Sequence, residues 1–414
     1  MQESSWLLML IGLIVVSAML LRAGLERIQL PPLVAFMVLG FLIRLGDDRW
    51  HLLTGEGEAV MEFLGRLGVV ALLFRVGLES DLAGLIRQLP GASIVWLGGV
   101  STSAIAGYLV LSHGLGYALI PSLIGATALT ATSVGVSIAL WRKANALRTR
   151  NGELLTDVAE MDDISAVALM ALLFAMVPVL RAGAGGEDAI GPELGQAAAV
   201  FMLKLIGFAA LCVLLARFLE RRLTRGFARI GSPAELMVLV AGLGIVIAGL
   251  AGSLGFSAAI GALFAGIAFS RDPQAVDIDA NFRGIYDLLT PFFFVGIGLS
   301  ITPGGLVSAF SAGIVLFVIA AFSKLAGHGL CALVTTGSAG AVAIGVSMIP
   351  RAEITMVVME QGQSLGSWAV PDELFAAFVL TSALTCLMAP VALQIIFRRW
   401  PDAIGRKTKA KTSD

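Results

Sequence analysis

Long apolar runs, interrupted at near-regular intervals by short clusters of charge and glycine, dominate this chain. Runs of bilayer length fall near 5–24, 31–45, 59–78, 90–111, 118–141, 152–180, 194–222, 233–250, 254–271, 284–300, 305–336, 338–362 and 372–397. The pattern predicts an all-α polytopic membrane protein with about thirteen transmembrane helices. The stretch 305–336 is the least obvious cut, but "FSKLAGHGL" inside it has no proline and no cluster of turn residues, so it reads as one long tilted helix.

Composition agrees with the pattern. Of 414 residues 57% are hydrophobic and 14% charged, and the mean hydropathy is +0.91, outside the range of soluble domains. The first run, from Trp6 to Leu21, lacks a basic leader and meets Arg22, Glu26 and Arg27, so it reads as a span rather than a cleaved signal. Cys212, Cys331 and Cys386 lie in apolar segments at unrelated spacings and read as packing residues. Glycine, at 48 residues, recurs in patterns such as "GALFAG"; small residues let helix backbones approach in lipid, and no GxxxxGK[ST] loop is present.

The net charge of −1 is uninformative, but its distribution is not. Basic residues collect in "WRKANALRTR", "ERRLTRGFAR" and "FRRWPDAIGRKTKAK", while "SHGLGYALIP" and "ITPGG" carry almost none. The positive-inside rule then predicts a cytoplasmic C-terminus and an outward-facing N-terminus. No long polar segment follows the last span.

Candidate chemistry lies in the charges that remain inside the spans. Asp162 and Asp163 sit side by side in "TDVAEMDDISAVALMALLFAMV", where a carboxylate costs about 2.5–3.5 kcal/mol on insertion scales. Adjacent helix positions differ by about 100°, so one acid addresses a cavity while the other addresses a neighbouring helix. The bland alternative is a helix end at the interface, with Asp157 and Glu160 as further surface charges. Lys324 weakens it: at 1.5 Å per residue it lies about 28 Å from one end of its span and about 18 Å from the other, and needs a counter-ion.

Two helix breaks are expected. Arg351 and Glu353 follow Pro350 in "GVSMIPRAEITMVV", and proline removes a backbone donor and disfavours helix at Ile349. In "TALTATSVGV" a cluster of Thr and Ser in mid-span either supplies hydroxyls and freed carbonyls to a small hard cation or back-bonds within an intact helix. The breaks lie in the fifth and twelfth spans. An offset of seven reverses the chain direction, as two inverted repeats with crossing discontinuous helices require, and places a substrate site at the midplane.

The stretches "LPPLVAFMVLGFLI", "LGVVALLFRVGLESDL", "GATALTATSVGV", "AEMDDISAV", "SAAIGALFAGIAFSR", "LLTPFFFVGIGLSI" and "MIPRAE", in this order over nearly the whole chain, resemble the monovalent cation/proton antiporter-2 family of bacterial Na⁺/H⁺ and K⁺/H⁺ exchangers. The resemblance implies a sodium/proton antiporter-like fold. In it a core ion-transport part (about 90–180 and 305–397) moves against a dimerisation part (about 1–80 and 233–300), with a linker helix at about 194–222 and a basic cytoplasmic tail at 398–414. It also implies a homodimer in a bacterial inner membrane, exchange of Na⁺ (or K⁺ or Li⁺) for protons by alternating access, no cofactor, no nucleic-acid partner and no enzymatic activity. Asp163 matches the ion-binding aspartate and Asp162 the preceding acid of electrogenic members, so these two are the expected cation ligands. Thr132 and Ser133, with Thr130 in support, match the unwound segment; Lys324 matches the lysine paired with the first aspartate; Arg351 and Glu353 match a "PRGE" motif.

The sequence departs from the family at Arg75, which interrupts an "LLFxxGLE" pattern, and at Ala352, which replaces the glycine of "PRGE". The NAD-binding regulatory domain of potassium-efflux members has no counterpart, so the expectation is a bare transport unit. Rival functions are a sodium-coupled organic-solute symporter of similar fold, an ion channel, and an intramembrane aspartyl protease. The last needs aspartates on separate helices, one in a GxGD motif, to which "VGIGLS" is the nearest approach.

Overall fold

The structure is a computed structural model. It describes residues 2–27, 30–79, 82–183, 233–254, 256–270 and 275–405, with short stretches between 196 and 214. Among the described residues it is all helical. The N-terminal half contains α1 (Gln2–Arg27), α2 (Pro32–Trp50), α3 (Gly55–Glu79), α4 (Leu82–Leu109), α5 (Leu119–Thr130), α6 (Gly135–Lys143) and α7 (Arg150–Gly183). After it come α8 (Pro233–Ser253), α9 (Ala258–Phe269), α10 (Ala275–Leu299), α11 (Pro303–Ser308), α12 (Phe310–Lys324), α13 (Leu330–Ser347), α14 (Glu353–Ser364) and α15 (Asp372–Arg399). Seven described segments are long and apolar enough to cross a membrane. The expected linker helix at 194–222 and the tail beyond residue 405 lie largely outside the described residues.

Helix ends follow local chemistry. Ser257 caps α9 by accepting from the Ile260 amide, and Thr302, followed by Pro303, caps α11 by accepting from the Gly305 amide at 3.2 Å. The last span, α15, opens on Asp372 and Glu373 and closes on Arg398 and Arg399, each pair opposing the helix dipole. The stretch read as one helix over 305–336 differs in two places. One is at Ala309, between α11 and α12, and the other is a π-turn, Leu325–Gly329, just after Lys324; the cut between 336 and 338 coincides with Gly337 (φ 70°, ψ 175°), which breaks α13. Only glycine takes that conformation without strain, so residues 338–347 begin a new helical segment there.

The chain divides into two compact units. Unit 1 comprises Met1–Leu20, Phe36–Ala83 and Ala171–Ser300. Its centre is α3, which packs on α9 and α10 along a backbone-close seam. A Cβ on Gly77 would fall 2.3 Å from the Leu263 carbonyl oxygen and one on Gly266 2.1 Å from that of Phe74, so these contacts admit no side chain. The Phe74 ring fills the adjoining core edge-on to Phe269 and Phe282. Arg75, the odd charge in this seam, lies 4.4 Å from the Tyr286 ring centre and pairs with Glu79 at 2.8 Å.

Unit 2 comprises Leu21–Ala35, Gly84–Met170 and Ile301–Asp414. It holds both interrupted helices, the first half of α7, and α12–α15. Trp141, fully buried, anchors its core against Phe397 and among Leu155, Val158, Ile344 and Ile404. The 34-residue α7 is about 51 Å long, and Asp162 lies about 18 Å from its N-terminal end, within a segment long and apolar enough to cross a membrane.

Candidate ion site at the crossing of two broken helices

The first break is short. Helix α5 ends at Thr130, Ala131 is extended (φ −61°, ψ 150°), and α6 resumes at Gly135. The second runs from Met348 to Ala352 around Pro350, with Ala352 at φ −147°, ψ −91° before α14 begins at Glu353. Each break frees backbone donors and acceptors that lipid cannot satisfy, and each break satisfies the other. The Ser133 amide donates to the Pro350 carbonyl at 2.8 Å. Nη1 of Arg351 donates to the carbonyls of Ala131 at 2.7 Å and Met348 at 3.2 Å and to the Thr132 hydroxyl at 3.4 Å. The Thr355 hydroxyl donates to the Ala128 carbonyl at 3.0 Å, and the Ser133 hydroxyl donates to Glu353.

Further bonds clamp the ends of the crossing. Ser137 donates to the Ser347 carbonyl at 2.8 Å, and Trp141 Nε1 to the Ser347 hydroxyl at 2.9 Å. On α15, Thr385 accepts from the Arg351 amide at 3.1 Å. Arg351 is thereby fixed with its side chain fully buried, and its Nε and Nη2 have no hydrogen-bond partner.

Against this crossing α7 presents Asp162, also fully buried. Its Oδ2 accepts from Lys324 Nζ at 2.6 Å and from the Thr132 hydroxyl at 2.7 Å. Lys324 is equally buried and also donates to the Thr130 carbonyl at 2.9 Å. Such a pair avoids the large desolvation cost of isolated buried charges only because both ions are hydrogen-bonded. The other carboxylate oxygen, Oδ1, is buried and accepts no hydrogen bond. Asp163, one position on, is half-buried, as is Glu353. Lys324 and Arg351 are thus fully buried cations at the crossing, and Asp162 is its fully buried carboxylate.

Of the residues singled out from sequence, Thr130, Thr132, Ser133, Asp162, Lys324, Arg351 and Glu353 are linked by these hydrogen bonds in unit 2, and Asp163 adjoins Asp162 on α7. Thr130 supplies its backbone carbonyl, while its hydroxyl turns back to Thr127 at 2.7 Å. The Ser133 hydroxyl is committed to Glu353. Sequence reasoning missed His328, fully buried with Nε2 3.4 Å from Asp162 Oδ2. The available signal was its position four residues after Lys324, on the same helix face. It also missed the bracing by Ser347, Trp141 and Thr385, which no local motif marks.

Comparison with known proteins adds relatives. A family model described as sodium/hydrogen exchanger, transmembrane, matches residues 12–399. The chain is 29% identical to the high-affinity Na⁺/H⁺ antiporter NhaS3 of Synechocystis sp. over 345 residues, covering 82% of this chain and 72% of that protein. It is 28% identical to the Na⁺/H⁺-K⁺ antiporter GerN of Bacillus cereus over 97% of both. Over 66% of its length it is 31% identical to the glutathione-regulated potassium-efflux system protein KefC of Klebsiella pneumoniae, spanning 42% of that protein. In fold it is similar to the sodium proton antiporter MjNhaP1 from Methanocaldococcus jannaschii at pH 8, with a TM-score of 0.68 at 14% identity, covering 98% of this chain and all of that one.

Proposed function

The chain belongs to the sodium/hydrogen exchanger family, and on that footing we propose that it is a multi-pass membrane antiporter exchanging Na⁺ for protons by alternating access. The observation that carries the reading is the Lys324–Asp162 ion pair, buried where two interrupted helices cross and directly beside Asp163. The names of its relatives support Na⁺, and those of GerN and KefC keep K⁺ as a second transported ion. No cofactor is required: the charge to be moved and the proton that replaces it occupy the same carboxylates in turn.

In this reading Asp163 alternates between cation and proton, because a half-buried carboxylate offers oxygens that either can occupy but not both. Asp162 is held by Lys324 and Thr132. An entering cation draws Asp162 toward itself through the oxygen that accepts no hydrogen bond, Oδ1. Lys324 then loses its counter-ion in a buried place and releases a proton, which Arg351, always charged, does not do. One Na⁺ thus displaces more than one proton, and exchange is electrogenic. Ser133 and Glu353 hold the first break against the second and set where Thr132 points.

We assign ion transport to unit 2 and subunit contact in a homodimer to unit 1, with the basic clusters cytoplasmic and the N-terminus outside. The decisive experiment follows proton movement on adding Na⁺, K⁺ or Li⁺ to proteoliposomes. Wild type exchanges at least one of these ions and Asp163→Asn exchanges none; near-wild-type exchange by Asp163→Asn removes the assignment.

A further inference from the structure

The donors around Asp162 are unevenly placed. Lys324 and Thr132 both address Oδ2, and Oδ1 accepts nothing. A third group waits beside the same Oδ2: His328 Nε2, at 3.4 Å, in a ring that is fully buried and makes no hydrogen bond through either nitrogen. A buried imidazole without a bond is a poor packing residue, since Leu or Met fills the same space with no polar atom to desolvate.

The surroundings are shaped for that ring. The π-turn Leu325–Gly329 adds a residue to the helix after Lys324 and sets His328 on the side that faces Asp162. On α4, Gly99 leaves the space the ring occupies: a Cβ there would lie 1.8 Å from His328 Cε1 and 2.1 Å from Nε2. Gly98 does the same for the neighbouring turn, where a Cβ would lie 2.4 Å from Cys331 Sγ and 3.0 Å from the Gly327 carbonyl oxygen. Helix α4 offers no charge to the imidazole at this contact; Asp162 on α7, Lys324 on α12 and Arg351 at the second break are the charged groups about it.

We propose that His328 is a positioning residue for transport, a reserve donor whose Nε2–H takes over Asp162 Oδ2 when Lys324 withdraws. The proposal rests on the reading that the Lys324–Asp162 pair opens as the cation enters. With the lysine in place, Nζ at 2.6 Å dominates and the imidazole at 3.4 Å adds little. With the lysine gone, Thr132 alone would hold the carboxylate, and the imidazole, moving by a few tenths of an ångström, restores a second donor and keeps Oδ1 turned to the ion. His328 therefore stabilises the cation-bound site more than the resting one and lowers the cation concentration needed to fill it.

The test measures Na⁺-dependent proton exchange in proteoliposomes across a set of variants. A donor hydrogen bond to a charged group is lost in His328→Met, so the half-saturating Na⁺ concentration rises about tenfold while the maximal rate stays within about twofold. His328→Gln, which keeps an N–H, recovers most of the affinity. Gly99→Ala, which expels the ring, reproduces His328→Met, yet adds nothing in a His328→Ala background, where the new methyl group has room. The Gly99→Ala and His328→Gln arms carry the test should His328→Met not fold. Unchanged half-saturation in His328→Met or Gly99→Ala, or full additivity of Gly99→Ala and His328→Ala, overturns the proposal while leaving the antiporter reading intact. A wild type that exchanges no monovalent cation takes both.

Discussion

Replacing Lys324 by Met isolates the energetics of the buried pair. Met matches the aliphatic stem and removes only the ammonium, so the packing of α12 is retained while Asp162 loses the donor at 2.6 Å. What remains on the carboxylate is Thr132 at 2.7 Å and His328 at 3.4 Å, in a place with no solvent exposure. Removing one partner of a buried ion pair costs about 3–5 kcal/mol, because the other charge stays behind uncompensated. Removing both is nearly neutral. Lys324→Met and Asp162→Asn should each lower the stability of purified protein by that order, while the double variant should lose at least about 2 kcal/mol less than the sum of the two single losses. Thermal and denaturant unfolding in detergent at one pH measures all four proteins. A Lys324→Met protein as stable as wild type, or a cycle that is simply additive, would refute the claim that the pair is a coupled, desolvated unit. Current recordings on the same proteins extend the test to mechanism: if Lys324 releases the extra proton, Lys324→Met exchange loses its voltage dependence.

Three further outcomes follow from the geometry. Thr132→Val deletes a 2.7 Å donor to Asp162 and should raise the half-saturating cation concentration about tenfold with a smaller change in maximal rate, measured by proton exchange. Trp141→Phe removes the 2.9 Å bond to Ser347 that clamps the two breaks and should cost about 1 kcal/mol of stability without abolishing exchange, read from unfolding and transport together. Gly266→Leu places a side chain where even a Cβ falls 2.1 Å from the Phe74 carbonyl oxygen; the cost of overpacking, typically about 1–3 kcal/mol, should be exceeded, and size-exclusion chromatography should show loss of folded protein.

Much of the fold was legible because lipid constrains a chain more simply than water does. An unbroken apolar run must be a helix, and a Pro350 or a Thr–Ser cluster within one marks where backbone groups need other partners. Lys324 announced a counter-ion by depth alone. What escaped were features set by the opposing surface. The π-turn after Lys324 packs where Gly98 and Gly99 let α4 approach closely, and nothing in "FSKLAGHGL" states what lies across from it. His328 was hidden for the same reason, as were the partners of the Thr130 and Ser133 hydroxyls, which donate to Thr127 and Glu353. The break at Gly337 was legible as the boundary between the runs 305–336 and 338–362, although its φ of 70° was not.

The crossing also explains why the site carries two cations of different kind. Interrupting two helices at one level frees carbonyls at Ala128, Thr130, Ala131 and Pro350, and the structure answers each with a specific donor: Thr355, Lys324, Arg351 and the Ser133 amide. Arg351 is bound to the backbone of both breaks, and a guanidinium gives up its proton far less readily than an ammonium, so it suits a fixed role in holding the crossing together. Lys324 divides its donors between one carbonyl and one carboxylate, and only the carboxylate is also wanted by an incoming ion. In the proposed exchange, a competing cation would detach Asp162 from Lys324 without dismantling the crossing. In the bond pattern, the framework of the site is separated from the part that exchanges.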